Sequence, residues 1–456
     1  MASVAEVVEI QSLPIVKIYD VPQAGKLVDI APAGDAFQLA DVISFSYYES
    51  IYDSFILAKV QFIEASGKIE KAFDGCGIRN FCAVEIELPD PAGDKNIGRK
   101  RNKLTFAGTN CFFVKKISKQ LVQNKKQLFE LELINRDALV SISQKVLATW
   151  PNSESNNIDY NTVIEDLLKN YMKTKKDTGD IMKDKTKTTT KIVGNGQFIY
   201  QLIEDACRQA TTLKASGSGK EETGATGYAF FEIYDKYKFP SLYSLVTLDT
   251  SDSISYTYKI SVVNDSQTTV EEAAYRILTY QFNDENKTSD LLEEIASRKR
   301  GKPAWYLLDT NRNVFKKIES LAPEKVIDKC ERVPSNEDFV AKEYLNITEY
   351  ETEYINTCDP DLEKEPVNKV LSSLNYSALL ETLRTKASTF KLPGNLDISA
   401  GDKIGISVPV IQGDGPAETE VSAKYSGIYL VTAVKHSLVE MRKVYTHLEA
   451  IKIKDE

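Results

Sequence analysis

The first part of the chain alternates apolar and polar residues with the two-residue period of half-buried β-strands. In the run 42–64, Ala58, Val60 and Phe62 alternate with polar residues, and aromatic and β-branched residues are frequent, as in strands. Three later runs repeat this pattern, and prolines end the first of them. These runs are 82–93, 102–119 and 125–135. We therefore predict an antiparallel β meander before residue 140, folded as a barrel or a sandwich.

Helical spacing of apolar residues replaces this alternation after residue 135. Leu139, Ile142 and Val146 recur at the spacing of one helix face, which predicts a helix. Two further segments show the same type of pattern. The predicted helices are 136–150, 160–173 and 194–211.

The second of these helices has a candidate N-cap at Asn161 or Thr162, because both side chains can accept a hydrogen bond from the first turn. The lysine-rich segment 173–191 follows it and offers few apolar residues. We expect this segment to be a loop or linker. The Gly- and Ser-rich segment 215–227 predicts a second, flexible loop.

Strand-like alternation returns in the runs 227–246 and 253–263. A helix is predicted from a cap at Ser289 or Asp290, with acidic residues at its start and basic residues at its end, as the helix dipole favours. A short helix is predicted over 375–388. The highly charged stretch 310–375 gives no clear prediction.

The C-terminal pattern predicts a strand, a Gly-Asp turn and a strand over 394–410, followed by another strand over 426–438. Ile404, Ile406 and Val408 are expected to share one face. Ile428, Leu430, Thr432 and Val434 are expected to alternate in the same way. Residues of these types are typical of a structural β-sheet rather than of a catalytic or binding site.

Composition limits the class of protein. With 456 residues, the chain is too long for one core and should form two to four domains. Hydrophobic residues make up 42% and charged residues 27%, as in soluble globular proteins. The net charge of -9 disfavours wrapping around a polyanion. No run of eighteen apolar residues and no secretory signal pattern occurs, so we expect a protein made and kept in a cytoplasm.

The six cysteines form no CxxC pair, which disfavours a zinc site or a disulfide framework and favours reduced, buried thiols. They are Cys76, Cys82, Cys111, Cys207, Cys330 and Cys358.

Candidate catalytic groups are few. His436 and His447 are the only histidines; exposed or hydrogen-bonded side chains fit their strand-like surroundings better than a dyad or metal pair. Carboxylate-rich segments at 293 and 359 fit solvated surface better than a glycosidase pair. No GxSxG motif is present. We therefore predict no enzyme activity, no catalytic, cofactor-binding or metal site, and no cofactor.

Short glycine and basic motifs also have plain explanations. The segment at 217 lacks the Ser or Thr and the glycine spacing of a phosphate loop. The glycines at 194 open a predicted helix, and a plain turn at its start fits them better than an anion site. The basic clusters at 98 and 297 lack interleaved aromatic residues. They fit solvated loop charges or intersubunit salt bridges better than a nucleic-acid site.

The succession of segments carries a family resemblance. A meander ending in FFVKKISKQLVQNKKQLFELELIN is followed by DYNTVIEDLLKNYM, GNGQFIYQLIEDACRQA and GYAFFEIYDKYKFPSLYSLV. The chain then ends with GNLDISAGDKIGISVPV and SGIYLVTAVKHSLVEMRKVYTHLEAIKI. This order resembles the central baseplate hub protein of contractile-tail (myovirus-type) phages, a class that is similar to the N-terminal part of type VI secretion spikes. The resemblance is weakest between about 262 and 370.

The resemblance implies a mainly β fold with α/β elements. Two antiparallel β-barrels similar to tail-tube subunits would be joined by α/β segments, and three chains would form a ring with pseudo-six-fold symmetry. Such a trimer presents six similar units to a tube and three repeats to a spike. The implied domains are a first barrel (1–145), an α/β connection (146–227), a second barrel (228–261 and 376–456) and an inserted α/β and charged segment (262–375).

The implied function is that of a structural virion protein, which adapts the six-fold tail tube to the three-fold central spike and forms part of the DNA exit channel. Implied partners are two further copies, the spike protein, tail tube or tube-initiator proteins, and baseplate wedge proteins. DNA would pass without sequence-specific binding, and no membrane segment is implied. The location would be the tail baseplate of the virion, after assembly in the host cytoplasm.

Two alternatives remain open from the residues. The first is a tail-associated cell-wall hydrolase on a β scaffold, which the scattered carboxylates would allow. The second is a surface-binding β module. Peptidoglycan clearance by the purified protein would indicate the hydrolase, and a monomer at all concentrations would indicate the module.

Overall fold

The computed structural model describes most of the chain outside the middle of its C-terminal half. The described residues are 7–20, 32, 35–39, 41–91, 99–121, 126–151, 157–189, 191–212, 227–248, 254, 256–260, 269–282, 304–309, 314–319, 350–354, 376, 380, 383, 384, 387–410 and 421–455.

Strands dominate the described residues. Up to residue 135 they are β1 (Ile15–Tyr19), β2 (Phe37–Gln38), β3 (Val42–Ser50), β4 (Leu57–Glu64), β5 (Ala83–Pro89), β6 (Lys103–Phe106), β7 (Phe112–Leu121) and β8 (Gln127–Asn135). In the middle they are β9 (Lys145–Trp150), β10 (Ile158–Asp159), β11 (Thr188–Thr189), β12 (Ile192–Phe198), β13 (Phe231–Ile233) and β14 (Lys236–Lys238). The later strands are β15 (Thr257–Lys259), β16 (Thr279–Gln281), β17 (Ala304–Asp309), β18 (Val314–Glu319), β19 (Tyr350–Tyr354), β20 (Ser388–Pro393), β21 (Lys403–Ser407), β22 (Gly427–Val439) and β23 (Lys443–Asp455).

Helices are few and short in the same residues. They are α1 (Lys68–Lys71), α2 (Arg136–Ser143), α3 (Tyr160–Asp166), α4 (Ile199–Gln209), α5 (Leu242–Val246) and α6 (Val270–Ala274). A π-helical turn, Leu167–Tyr171, continues α3, and 3-10 turns cover Gly108–Asn110 and Gly179–Met182. The prediction of a mainly β, antiparallel fold is confirmed.

One 14-stranded sheet holds most of the strands, in the order β16-β20-β23-β22-β3-β4-β8-β7-β5-β1-β2. Three more strands join it at the side: β6 pairs with β5, β21 with β22, and β15 with β21. We call β1–β8 the first half and β15, β16 and β20–β23 the second half. The β3–β22 ladder joins the halves. The remaining strands form small sheets, namely β10-β11, β12-β9, β13-β14 and β18-β17-β19.

The strands before residue 140 are antiparallel, as predicted, but they are not a meander. β4 pairs with β8 rather than with β5, and β5 lies between β1 and β7. Among the described residues of this region, chain neighbours pair directly only in the hairpins β3–β4, β5–β6 and β7–β8 and in β1–β2. Alternation within each run predicts which residues face the core, but it cannot predict which strands pair.

Each half has its own buried core. In the first half the largest buried side chains include Phe45, Phe62 and Phe106. In the second half Tyr258, Phe390 and Tyr429 are packed together. A third core, around Leu167 and Ile203, lies in the middle region, and residues of α2–α4, β9 and β14 contribute to it. A small fourth core, which we call the joint core, contains Ile51, Phe231, Leu242, Leu430 and Ile451.

The helix predicted over 136–150 is too long. Within that range α2 ends and β9 begins, because Val146 and Trp150 point inward at the spacing of a strand and are almost fully buried. β9 pairs with β12 along its whole length. Ile142, which was assigned to the buried face, is 48% exposed.

The cap predicted for the second helix is also wrong. The carboxylate of Asp159 accepts a hydrogen bond from the backbone N–H of Thr162 at 2.6 Å and caps α3. Asn161 is buried instead, and its amide donates to the carbonyls of Ile181 at 2.6 Å and Asp184 at 2.8 Å. These bonds fasten the lysine-rich segment to α3.

That lysine-rich segment, 173–191, is part of the folded middle region rather than a linker. Ile181 is fully buried in the middle core, and Thr186 and Thr189 are buried beside it. The backbone N–H and the hydroxyl of Thr186 both donate to the Asn161 side chain, at 2.7 and 2.8 Å. A single buried isoleucine and several hydrogen-bonding threonines thus order a segment that composition alone assigns to solvent.

The glycines at 194 lie in a strand and not in a turn. Gly194 and Gly196 belong to β12, and a bulge separates Asn195 from Gln197. A side chain at Gly194 would come within 3.0 Å of Val146. The glycine therefore allows close packing of β12 on the middle region.

Residues 394–400 form turns instead of the predicted strand. The Gly-Asp turn is present, with Gly401 at a φ of +81°, a conformation that favours glycine. Ile404, Ile406 and Val408 all pack in the second-half core, as predicted.

The regular alternation predicted for 426–438 is interrupted by a bulge. The register of β22 against β23 shifts between Val431 and Ala433, and such a shift changes which face a residue presents. Val434 therefore lies in the second-half core, whereas Leu430 lies in the joint core.

Several predictions lie outside the described residues. These are the loop at 215–226, the basic cluster at 297, the helix from Ser289 or Asp290, the carboxylates at 293 and 359, and most of 310–375. Of the predicted helix 375–388, residues 376, 380, 383 and 384 are helical, whereas residue 387 is not helical and Ser388 begins β20.

Candidate functional site: the joint between the two halves

The joint is built around one shared ladder. Residues 433–438 of β22 pair antiparallel with residues 45–50 of β3. The first residues of β22, 427–430, pair with β21 instead. β22 is 13 residues long, and it can serve both halves because its bulge lies between these two segments.

Glu49 is the central buried charge of the joint and is 1% exposed. Its carboxylate accepts hydrogen bonds from the backbone N–H of Tyr234 at 2.8 Å and of Ala400 at 3.0 Å. The Tyr47 hydroxyl also donates to it. Burial raises the pKa of Glu49, while these donors oppose the rise. One side chain of β3 thus binds the middle region and the second half.

Glu232 is a second buried charge, and it connects the middle region to the first half. It is 1% exposed, and its carboxylate accepts from the backbone N–H of Ile56 at 3.1 Å, from the Asn135 amide and from the Lys176 ammonium. Burial raises the pKa of Glu232 to about 6, and the neighbouring Lys176 limits the rise. Glu232 therefore ties β13 to two segments of the first half.

A buried ion pair forms a second tie. Arg99 and Asp90 are joined at 2.8 Å, with side chains 2% and 0% exposed. Arg99 also donates to the carbonyl of Gly394, and Asp90 accepts from the backbone N–H of Leu396 at 3.2 Å. Both members of the pair therefore hold the chain that leads into β21.

The rest of the basic cluster at 98 continues this tie. The backbone N–H groups of Lys100 and Arg101 donate to the Asp397 carboxylate at 2.6 and 2.8 Å. The Arg101 guanidinium donates to the Leu396 carbonyl at 3.1 Å and stacks over the Tyr234 ring.

The prediction of solvated or intersubunit charges is thus wrong for Arg99, whose side chain is buried against Asp90 and Gly394 of the same chain. Lys100 and Lys103 of the same cluster are exposed, as that prediction expects.

The two histidines lie on opposite faces of their strands. His436 is 1% exposed and is stacked on Tyr47; its Nδ1 lies 3.1 Å from the Thr446 hydroxyl and its Nε2 lies 3.1 Å from the Ile398 carbonyl. Burial lowers the pKa of His436 to about 3. His447 pairs in register with Lys435, the neighbour of His436, so the two imidazoles do not form a dyad.

The buried carboxylates of the joint are occupied by hydrogen bonds. Both oxygens of Glu49 and both oxygens of Glu232 accept from named donors. A catalytic carboxylate has to reach a substrate or a water molecule, and these four oxygens face protein donors. The arrangement is suited to holding segments in place.

No group of three or more His, Cys, Asp or Glu side chains that could hold a metal ion occurs among the described residues. Over the same part of the chain, no helix is long and apolar enough to span a membrane. Of the cysteines described there, Cys82, Cys111 and Cys207 are buried thiols as predicted, whereas Cys76 is exposed.

Sequence reasoning missed the joint. Glu49 and Glu232 each interrupt an apolar or aromatic run, in SYYES and AFFEIY, and a charge at such a position is a signal for a buried, paired group. Arg99 carried no such signal, because it belongs to a short basic cluster next to a loop.

No protein-family model matches the chain, and no curated protein matches it either. Among solved structures it is similar to the 43 kDa tail protein of prophage MuSo2 from Shewanella oneidensis, with 9% identity and a TM-score of 0.47 over 97% of each chain. It is also similar to the tail protein from Neisseria meningitidis MC58, with 7% identity and a TM-score of 0.45 over 98% of this chain and 97% of that one.

A third similar structure is the E. coli c3393 protein, described as a type VI secretion component with structural similarity to the T4 bacteriophage tail proteins gp27 and gp5. It shows 12% identity and a TM-score of 0.41 over 96% of this chain and 76% of that one. The structural neighbours are thus phage tail and type VI secretion proteins, the classes that the sequence resembles. TM-scores below 0.5 are too low to carry a conclusion about this chain.

Proposed function

We propose that the chain is a structural subunit of a baseplate hub, in which three copies form a ring and each copy supplies two tube-like units. The observation that carries the proposal is a pair of six-membered circuits of strand pairing, one in each half, which the β3–β22 ladder joins. Such a pair gives a threefold ring six similar units.

The first circuit runs through β1, β5, β7, β8 and β4 and returns along β3 and β2. β2 and β3 follow each other in the chain, and together they act as one interrupted strand: β2 pairs with β1, and β3 pairs with β4. Every neighbouring pair in this circuit is antiparallel.

The second circuit runs through β15, β21, β22, β23 and β20 and ends with β16. Its return to β15 is carried by the residues just before β16. The backbone N–H of Lys259 donates to the carbonyl of Tyr275 at 3.0 Å, and that of Ile277 donates back to Lys259 at 2.9 Å. The backbone N–H of Leu278 then donates to Lys391 of β20 at 2.8 Å. An interrupted strand thus links both neighbours here as well.

These circuits support the division of the chain into two barrel units with a middle region between them, which is the domain organisation that we propose. They also support a role in matching surfaces. A virion tail baseplate is the location that fits this role, with a tube, a central spike and wedge proteins as partners and with DNA in the central channel.

The mass of the purified protein under native conditions tests this function. A trimer of the 51.1 kDa chain that is stable on dilution is the expected result. A monomer at every concentration would instead favour a surface-binding module, and clearance of peptidoglycan by the protein would favour a hydrolase.

A further inference from the structure

We propose that a basic row on the second half, Lys391, His447 and Lys435, is a docking surface for an acidic segment of a partner protein. The three residues lie on the adjacent strands β20, β23 and β22 and are direct partners in register, Lys391 with His447 and His447 with Lys435. We call them the basic row.

Side chains that are partners in register point to the same side of a sheet. The row therefore lies on the face turned away from the second-half core, which the alternate residues Phe390, Leu392 and Leu448 fill. Lys435 is exposed, and Lys391 and His447 are half-buried. Neighbouring strands are about 4.8 Å apart, so the row spans roughly 10 Å across the sheet.

The first half contains a comparable row of lysines in which a carboxylate neutralises part of the positive charge. Lys59, Glu132 and Lys116 are partners in register on β4, β8 and β7, with the carboxylate in the middle. Lys116 is 3.4 Å from Glu132, and Lys59 is 2.7 Å from Glu130. In the basic row an imidazole takes the place of that central carboxylate.

No such pairing relieves the basic row within the described residues. Neither lysine is within ion-pair distance of a carboxylate there; Lys391 lies over the Tyr445 ring at 4.0 Å. Burial lowers the pKa of His447, and the charges of Lys391 and Lys435 lower it further. Two lysines that flank one imidazole and have no ion-pair partner inside the described fold point to an anionic group outside it.

The surroundings favour a protein carboxylate over a nucleic acid. Tyr48 is the register partner of Lys435, and Leu57, which is 41% exposed, follows it on β4. A cationic row that leads into a half-buried Tyr and an exposed Leu fits the mixed contacts of a protein interface. Glu449 lies one row away on the same face, and together with the net charge of -9 it would repel a long polyanion.

Binding of fluorescein-labelled hexaglutamate to the full chain, followed by anisotropy at low salt, tests the proposal. Wild-type protein should bind the peptide, and Lys435→Gln and His447→Glu should each weaken binding by roughly tenfold or more. His447→Glu reproduces the neutralised row of the first half, so it should leave the fold intact or stabilise it. Lys103→Gln, which removes a lysine paired with Glu87 at 2.9 Å, is the matched control and should bind as wild type.

A labelled duplex oligonucleotide forms the second arm. Stronger binding of the duplex than of hexaglutamate, with loss in the same variants, would overturn the assignment to a protein partner. Equal binding by wild type and His447→Glu, or no binding of either probe, would overturn the proposal that the basic row is a docking surface.

A direct readout is available because the chain has only two histidines. In a histidine-selective NMR titration, bound hexaglutamate should raise the pKa of His447, because an anion favours the imidazolium. His436 is buried on the other side of the sheet and should not respond. A shift at neither residue would count against the row.

Discussion

The two halves of the large sheet reach similar circuits by different connections. In the first half every neighbouring pair of the circuit is antiparallel, and hairpins such as β3–β4 and β7–β8 supply much of it. In the second half β15 runs parallel to β21 and, at Lys259 and Arg276, parallel to the chain that leads into β16. Parallel neighbours require long crossover connections, and long stretches of chain do separate these strands.

The comparison teaches that the halves are alike in packing rather than in chain path. Each half buries aromatic side chains on one face of its strands, and the joint ties both halves together through charged groups that are absent from either core. We therefore expect substitutions of buried joint residues to lower the stability of both halves. Substitutions of exposed strand residues should change the stability of neither half.

The largest effect is expected from Leu430→Asp. Leu430 is fully buried in the joint core, and an unpaired carboxylate there should lower the free energy of unfolding by about 4 kcal/mol or more. Urea denaturation should show the loss for both halves together. Leu147→Asp, at a side chain that is 81% exposed, is the control and should change stability by less than about 0.5 kcal/mol.

Arg99→Ala should come next. It leaves the Asp90 carboxylate, which is 0% exposed, without its cation, and breaking one side of a buried pair typically costs about 3–5 kcal/mol. Lys103→Ala removes a lysine that is 53% exposed, and such surface pairs contribute less than about 1 kcal/mol. Equal melting temperatures of Arg99→Ala and Lys103→Ala would show that the Arg99–Asp90 pair does not stabilise the contact between the halves.

Glu49→Gln is a finer test of the same tie. The amide puts an N–H group where a carboxylate oxygen accepts from Tyr234 or Ala400, which should cost about 2 kcal/mol. Glu87→Gln, at an exposed pair with Lys103, should cost less than about 1 kcal/mol. If unfolding of Glu49→Gln splits into two transitions, the halves are coupled through Glu49.

The smallest effect is a pH dependence carried by His436. Its folded pKa of about 3 lies below the unfolded value, so its contribution to stability is present above about pH 6.5 and is lost as the pH falls. The stability advantage of wild type over His436→Gln should shrink by up to about 1.4 kcal/mol per pH unit below that point. An advantage that stays constant between pH 6.5 and 4.5 would contradict the burial of a neutral imidazole. Glu232 is present in both proteins, so its opposite trend below about pH 6 cancels in the difference.

Alternation predicted the strands well where each half has one face on a core. The runs around Val60 and the set Ile404, Ile406 and Val408 were correctly assigned. The pattern failed where tertiary contacts determine the local structure. The end of a predicted helix forms strand β9, and the bulge in β22 places Leu430 in the joint core instead of the second-half core. Strand order could not be predicted either, because pairing depends on contacts between distant segments.

The residues of the joint could be predicted from the sequence less well than the fold. Arg99 and Gly394 are 295 residues apart, and no local pattern connects them. Glu49 and Glu232 could have been suspected as charges within apolar runs, but their partners are backbone N–H groups of other segments, which have no sequence signature.

Electron microscopy of the purified assembly tests the central claim most directly. The account predicts a threefold ring in which six similar β lobes, two from each chain, surround an open central hole. A ring with three lobes, or a compact particle without a hole on the axis, would contradict it.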